Sequence, residues 1–224
     1  MIYSINVGRE LSEITFTPTI EVGEITNDSF QFMLLGDSIA AGVGADNLSK
    51  SVYGRILEYV NSNNEKNMSM RFENRAISGN KIEDVVEDLK NMDKEDIYLL
   101  VIIVSSNDVF QFTPLHSFEN SIDELIEFST NISENIIFIG PGKVYDVSGI
   151  SLLLKPLYWL RARQISNVLE EKFEQYEQVT YINPIRENLE EFNSIDLESK
   201  DNIHPNNKGH IYWFELFRRG IEAE

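Results

Sequence analysis

Four short stretches of this chain carry residues that can do chemistry together. The first is Gly36-Asp37-Ser38, which follows the apolar run QFMLLG. The second is Asn74 to Asn80, which contains Ser78-Gly79-Asn80. The third is Ser105-Ser106-Asn107-Asp108, and the fourth is Asp201-Asn202-Ile203-His204-Pro205. Between them they offer a hydroxyl, a glycine amide, a side-chain amide, an imidazole and a carboxylate. Acyl transfer needs that set: a nucleophile, a base, a group to orient the base, and donors for an oxyanion. A serine hydroxyl attacks at neutral pH only with a base beside it. The three-residue step from Asp201 to His204 lets one loop turn bring carboxylate and imidazole together. Pro205 suits the first position of a helix, where its missing amide costs nothing. Asn107 can donate from its NH₂, which an ionised Asp cannot do.

These stretches need a scaffold that gathers them, and the hydrophobic pattern supplies one. QFMLLG, MSMRFENRA, IYLLVIIVS, NIIFIG and VTYINP read as strands. IYLLVIIVS is a continuous β-branched run of the kind covered on both faces. Helical spacing lies between them: Val52 to Asn61, the stripe Ile82, Val85, Val86 and Leu89, a segment around Ser121 to Ser129, a long stretch from Leu157 to Tyr176, and Pro205 to Arg219. Strand and helix in alternation imply a parallel sheet with helices on both faces. Right-handed crossovers then place every strand C-terminus at one edge, where open α/β sheets bind ligands. All four polar stretches fall there. Residues 1–29 are less regular. Glu13 to Val22 carries β-formers around Pro18 and reads as an edge strand or a wrapping arm. The 224 residues suit one domain spanning 1–224.

On these motifs the sequence resembles the SGNH hydrolases, also called the GDSL esterase/lipase family. GDSI at 36–39, the glycine of SGN at 79, SSND at 105–108 and DNIHP at 201–205 match in order. The resemblance implies an α/β fold, a flavodoxin-like three-layer sandwich with a five-stranded parallel sheet. It implies Ser38 as nucleophile, His204 as base and Asp201 as its partner. The oxyanion hole would be the Ser38 and Gly79 amides with the Asn107 side chain. No metal and no cofactor is implied. The family's third block usually reads Gly-x-Asn-Asp, and Ser105 stands at the Gly position here. If that position needs positive φ, serine carries a cost.

Asp37 and Asp108 read as turn acids that bond nearby amides. His116 reads as a surface residue of the loop after the third strand. His210 lies six residues beyond His204, so on one helix the two point apart. Residues 141–159, PGKVYDVSGISLLLKPLYW, form a long connection. Its Ile150, Leu152, Leu153 and Leu154 read either as an acyl pocket or as a short helix packed on the core. The chain has no cysteine, which excludes disulfides, thiolate catalysis and Cys-type zinc sites. A net charge of −18 repels phosphate backbones, so nucleic acid is not expected as a partner. The start of the chain lacks a basic region followed by an apolar run, and no stretch is long enough to span a bilayer. A cytoplasmic protein without stable membrane insertion, acting on a small-molecule ester, is the expectation. The reaction expected is ester hydrolysis through an acyl-enzyme with short to medium acyl groups, as in a lysophospholipase or carboxylesterase. O-acyl transfer to an alcohol and carbohydrate O-deacetylation use the same triad and stay open. A non-catalytic binding module would lack one of the triad, and all three residues are present.

Overall fold

The computed structural model describes residues 19–26, 29–64, 68–92, 96–192 and 194–222. Residues 13–18 of the expected N-terminal arm lie outside these. Six strands form one sheet: β1 (Thr19–Val22), β2 (Phe30–Gly36), β3 (Met70–Asn74), β4 (Leu99–Ile103), β5 (Ile136–Ile139) and β6 (Val179–Ile182). The order across the sheet is β1-β3-β2-β4-β5-β6. From β3 to β6 every pairing is parallel, and β1 joins the edge of β3 antiparallel. The five expected parallel strands are present, and a sixth strand extends the sheet.

Alternate residues of the strands point to opposite faces, and each face has its own core. Met33, Leu35, Leu100, Ile102, Ile136 and Phe138 pack on one side. Their partners are α2 (Ile82–Lys90), α4 (Leu115–Thr130) and α5 (Lys155–Phe173). Phe32, Leu34, Leu99, Val101, Ile103 and Ile137 pack on the other. There they meet α1 (Val52–Ser62) and α6 (Asn207–Glu222). This is the three-layer sandwich. It explains why β4 reads as continuous apolar sequence: all five of its residues are buried between two helical layers.

Local chemistry sets the helix starts. The Ser51 hydroxyl accepts from the Gly54 amide at the head of α1. The Ile82 amide, first in α2, donates to the Asp108 carboxylate rather than to a residue of its own turn. The Asn206 side chain accepts from the Lys208 and Gly209 amides and opens α6. Two elements differ from the periodicity. α4 begins six residues earlier than expected, at Leu115 behind Pro114, so His116 lies on the exposed face of that helix and not in a loop. A short helix, α3 (Ser106–Phe110), follows β4 directly and was not legible, being under two turns long. Among the described residues no helix is long and apolar enough to cross a membrane.

Candidate active site

Three strand ends converge through one close contact. Gly36 ends β2 with φ of 145°, and a Cβ there would lie 2.0 Å from the Ile103 carbonyl oxygen of β4. The Asp37 amide donates to that same oxygen, and the Ile77 amide donates to the Gly36 carbonyl. The loops after β2, β3 and β4 are thereby pinned side by side.

Ser38 sits in the first of these loops, in the turn just beyond β2. Its hydroxyl makes no hydrogen bond among the described residues, and it lies in the wall of a large cavity with Asn107 and His204. In the second loop, Ile77 to Asn80 close a β-turn through the Asn80 amide and Ile77 carbonyl. Gly79 holds its third position with φ of 96°, a conformation that a turn of this kind demands and glycine supplies. Gly79 is exposed and is not part of the cavity wall. Asn107, on α3, donates from Nδ2 to the Asn80 carbonyl at 2.9 Å. That bond orients the amide and leaves its second N–H available. Neither the Ser38 amide nor the Gly79 amide donates to a protein acceptor among the described residues. Both stay available to an anion.

Asp201 and His204 are built as one unit. An antiparallel bridge between Glu198 and Pro205 closes a tight loop around them. Asp201 Oδ2 lies 2.6 Å from His204 Nδ1. An ionised carboxylate only accepts, so Nδ1 carries the proton and Nε2 is left as the basic nitrogen. Asp201 Oδ1 accepts from the Ser199 hydroxyl at 2.8 Å and from the amides of Ile203 and His204 at 3.0 and 2.9 Å. Burial works against the Asp201 charge. The hydrogen bonds from the His204 ring, the two amides and Ser199 outweigh it and bring the carboxyl down to about 2. Ser199 was not singled out by the sequence; a hydroxyl two residues before the acid of such a loop is the signal that could have marked it.

The neighbouring acids behave differently. Asp37 accepts from the Ile39 amide through Oδ1, while its buried Oδ2 has no partner among the described residues. Burial pushes it up to about 7 against the pull of that amide, and nearby Asp108 adds to the rise. Burial likewise pushes Asp108 up to about 6. Asp37 is the structural acid of a tight turn that its sequence suggests; Asp108 is not, for it lies in α3 and accepts from the distant Ile82 amide at the start of α2. His210 is fully buried, accepts from the Val52 amide at Nδ1, and faces the Val43 carbonyl through Nε2. Burial lowers its pKa to about 4, so it is a neutral strut between α6 and the Ser38 loop.

Ser105 meets the cost anticipated for it. It stands at the head of α3 with φ of 90°, fully buried, and its hydroxyl has no hydrogen-bond partner among the described residues.

The cavity measures about 890 Å³. Its wall is mostly apolar, with Ile39, Phe110, Val144, Leu189 and Trp213 among its members. Ile150 and Leu154 line it as expected for an acyl pocket. Leu152 and Leu153 do not: they point outward, 81% and 90% exposed. The alternative of a core-packed helix also fails for them. Residues 144–146 form one 3₁₀ turn, and the chain then runs through turns into α5. Two backbone bonds tie this segment to the Asp201–His204 loop: the Ser148 amide donates to the Glu198 carboxylate, and the Gly149 amide to the Asn202 carbonyl. Phe110, Leu189 and Trp213 were missed because each reads locally as ordinary core.

A parallel α/β sandwich with a Ser, an Asp–His pair and free amide donors at its strand ends defines an SGNH-type ester hydrolase. The profile of the GDSL-like lipase/acylhydrolase family matches residues 34–211, and the chain belongs to that family. Among solved structures, it is similar to a catalytic mutant of Axe2, an acetylxylan esterase from Geobacillus stearothermophilus. The identity is 16%, the TM-score 0.64, and the match covers 88% of this chain and 96% of that one. It is similar to TesA at 18% identity and TM-score 0.65, over 86% and 98% of the two chains. It is also similar to the lipase Lip_vut3 from goat rumen metagenome, at 17% identity and TM-score 0.65, over 86% and 97%. No curated protein sequence matches it. At these identities the structural likeness carries the fold.

Two predictions follow from this geometry. Ser105→Gly removes a left-handed backbone penalty and a buried unpaired hydroxyl, partly offset by the greater freedom of glycine in the unfolded chain. It should raise stability by about 1 kcal/mol, seen as a higher urea midpoint at unchanged slope. The second concerns acid. A carboxyl held at about 2 when folded, against 3.8 otherwise, contributes stability that is fully present above pH 4. That contribution is lost as pH falls toward 2. Asp201→Asn should therefore show a shallower loss of stability between pH 4 and pH 2 than wild type, measured by denaturant midpoints across that range.

Proposed function

We propose that this enzyme cleaves carboxylic esters with apolar acyl groups of short to medium length, through an acyl-enzyme on Ser38. The apolar cavity with Ser38, Asn107 and His204 in its wall is the observation that carries this reading. His204 Nε2 takes the Ser38 proton as Oγ attacks the ester carbonyl. The carbonyl oxygen becomes the oxyanion, met by the Ser38 and Gly79 amides and the second N–H of Asn107. The tetrahedral intermediate collapses, and His204 hands its proton to the departing alcohol. Water then enters, gives a proton to His204, and attacks the acyl carbon. The acid leaves, and Oγ recovers its proton. Asp201 holds the imidazole in the Nδ1–H form and stabilises the imidazolium, which is the service its low pKa permits.

The acyl group belongs against Ile150, Leu154 and the aromatic wall. Each methylene buried there should add up to about 0.8 kcal/mol of binding, a threefold to fourfold gain per carbon until the space is full. Activity on p-nitrophenyl esters should climb from acetyl to medium chains, and Leu154→Asp should flatten the series. A series that peaks at acetyl would instead favour carbohydrate O-deacetylation with the same triad. A fluorophosphonate probe should label wild type at Ser38, and Ser38→Ala should lose both labelling and turnover while staying folded.

Asn107→Ala tests the oxyanion role. Loss of one such donor typically lowers kcat by about 10²–10³. KM should change little, because the bond forms in the transition state. An unchanged kcat would leave Asn107 as a tie to Asn80 alone.

A further inference from the structure

The start of α5 is unlike the rest of this protein's surface. Leu152, Leu153, Leu157 and Leu160 are about half to nine-tenths exposed, and Trp159 is 42% exposed. Leu157 and Leu160 stand three apart and share the outer face of the helix, while Ala162 and Ile165 face the core. For its first turns α5 is therefore apolar on both its inner and outer sides; beyond Leu160 the outer face turns polar with Gln164 and Asn167.

Charge marks the same segment. The whole chain has a net charge of −18, yet between Asp146 and Glu170 it has no carboxylate at all. That stretch carries Lys155, Arg161 and Arg163. Arg161 is buried and donates to the Thr113 carbonyl; Arg163 is exposed, and the half-buried Lys155 reaches the surface with its Nζ donating to the Asp146 carbonyl at 3.0 Å. The Arg163 guanidinium lies over the Trp159 ring, 4.8 Å from its centroid. Acids flank the patch at Asp146 and Glu198, and the Glu198 carboxylate is engaged by the Ser148 amide.

The patch is also continuous with the cavity. Leu154 and Tyr158 belong to the cavity wall, and their neighbours Leu153 and Leu157 face outward. Tyr158 packs against Phe112, 5.2 Å between ring centroids, and Phe112 is itself 39% exposed. The cavity wall and the exposed leucines thus share the start of α5.

We propose that residues 152–163 form a docking surface for a lipid aggregate bearing anionic headgroups. Exposed leucines with a Trp and flanking Lys and Arg suit the boundary between headgroups and acyl chains. Lys155 and Arg163 would meet the headgroup charge, and the leucines would enter the acyl region. The negative charge elsewhere acts weakly on such a contact, because at physiological ionic strength fields from exposed charges fade within about 8 Å. Docking there would place the cavity mouth where an ester chain leaves the aggregate. This reading concerns where the enzyme works and stands apart from which ester it cleaves.

The test is co-sedimentation with phosphatidylcholine vesicles, with and without phosphatidylglycerol, beside turnover of soluble p-nitrophenyl acetate. Wild type should bind, more strongly with phosphatidylglycerol and less strongly at raised salt. Leu153→Asp and Leu157→Asp should each weaken binding at least about tenfold, since each withdraws a leucine from the acyl region. Turnover of the soluble ester should stay unchanged and reports that the variants fold. Should either variant fail to fold, the pair Lys155→Glu and Arg163→Glu decides: it should lower binding several-fold to the anionic vesicles and little to the neutral ones. Absence of vesicle binding by wild type overturns the proposal, as does binding indifferent to these substitutions. A dimer that the leucine substitutions dissociate, found by sedimentation velocity, would assign the patch to a second copy and overturn it too.

Discussion

Gly36 lies so close to β4 that no side chain fits between them. The candidate site depends on that contact. The Ile103 carbonyl that would meet a Cβ also accepts from the Asp37 amide, and the Gly36 carbonyl accepts from Ile77. One backbone position therefore sets where the loops after β2, β3 and β4 begin. The hydroxyl of Ser38, the amide of Gly79 and the side chain of Asn107 come from those three loops. None of them is near another in sequence. The loops that carry them start side by side because of parallel register, in which Gly36 stands opposite Ile103.

The electrostatics of the site separate acids of one residue type into two kinds. Asp201 collects hydrogen bonds from a ring, a hydroxyl and two amides, and is held ionised. Asp37, next to Ser38 in sequence, has one amide and a buried oxygen with no partner among the described residues. Burial opposes the charge of both; it prevails at the more deeply buried Asp37, which has one donor and a second acid nearby, and is outweighed at Asp201 by four hydrogen bonds. A carboxylate that orients an imidazolium must stay charged, and only the first environment ensures it. His210 shows the same rule from the other side. A buried imidazole without a carboxylate partner stays neutral and serves as a strut.

The 141–154 segment links the chemistry to the cavity. Its amides at Ser148 and Gly149 are bonded to the loop that carries Asp201 and His204, while Ile150 and Leu154 line the cavity. Leu152 and Leu153, between those two, turn outward. One short stretch of apolar residues thus serves an inner and an outer surface.

The alternation of strand and helix, and the four polar blocks at strand ends, were legible in the sequence because both are local. A strand needs only its own period and composition, and the block DNIHP holds its acid and its imidazole within one turn. The cost at Ser105 came into view only through the resemblance, which implies a glycine at that position. Other features depended on distant parts of the chain. Thr19–Val22, within the stretch expected as an edge strand or a wrapping arm, is the edge strand, and only the pairing with β3 decides between the two and sets its antiparallel direction. The start of α2 takes its partner from Asp108, twenty-six residues away. Phe110, Leu189 and Trp213 look like core residues in sequence and become cavity wall only when α3, α6 and the loop after β6 meet. Leu152, Leu153 and Leu154 are identical in composition, and nothing local distinguishes the one that lines the cavity from the two that face solvent. The sequence by itself determined the layers and the reactive groups, because hydrophobic period and residue chemistry act over a few residues. The tertiary structure alone decided which donors each carboxyl receives and which leucines are covered, because burial is a property of what else packs there.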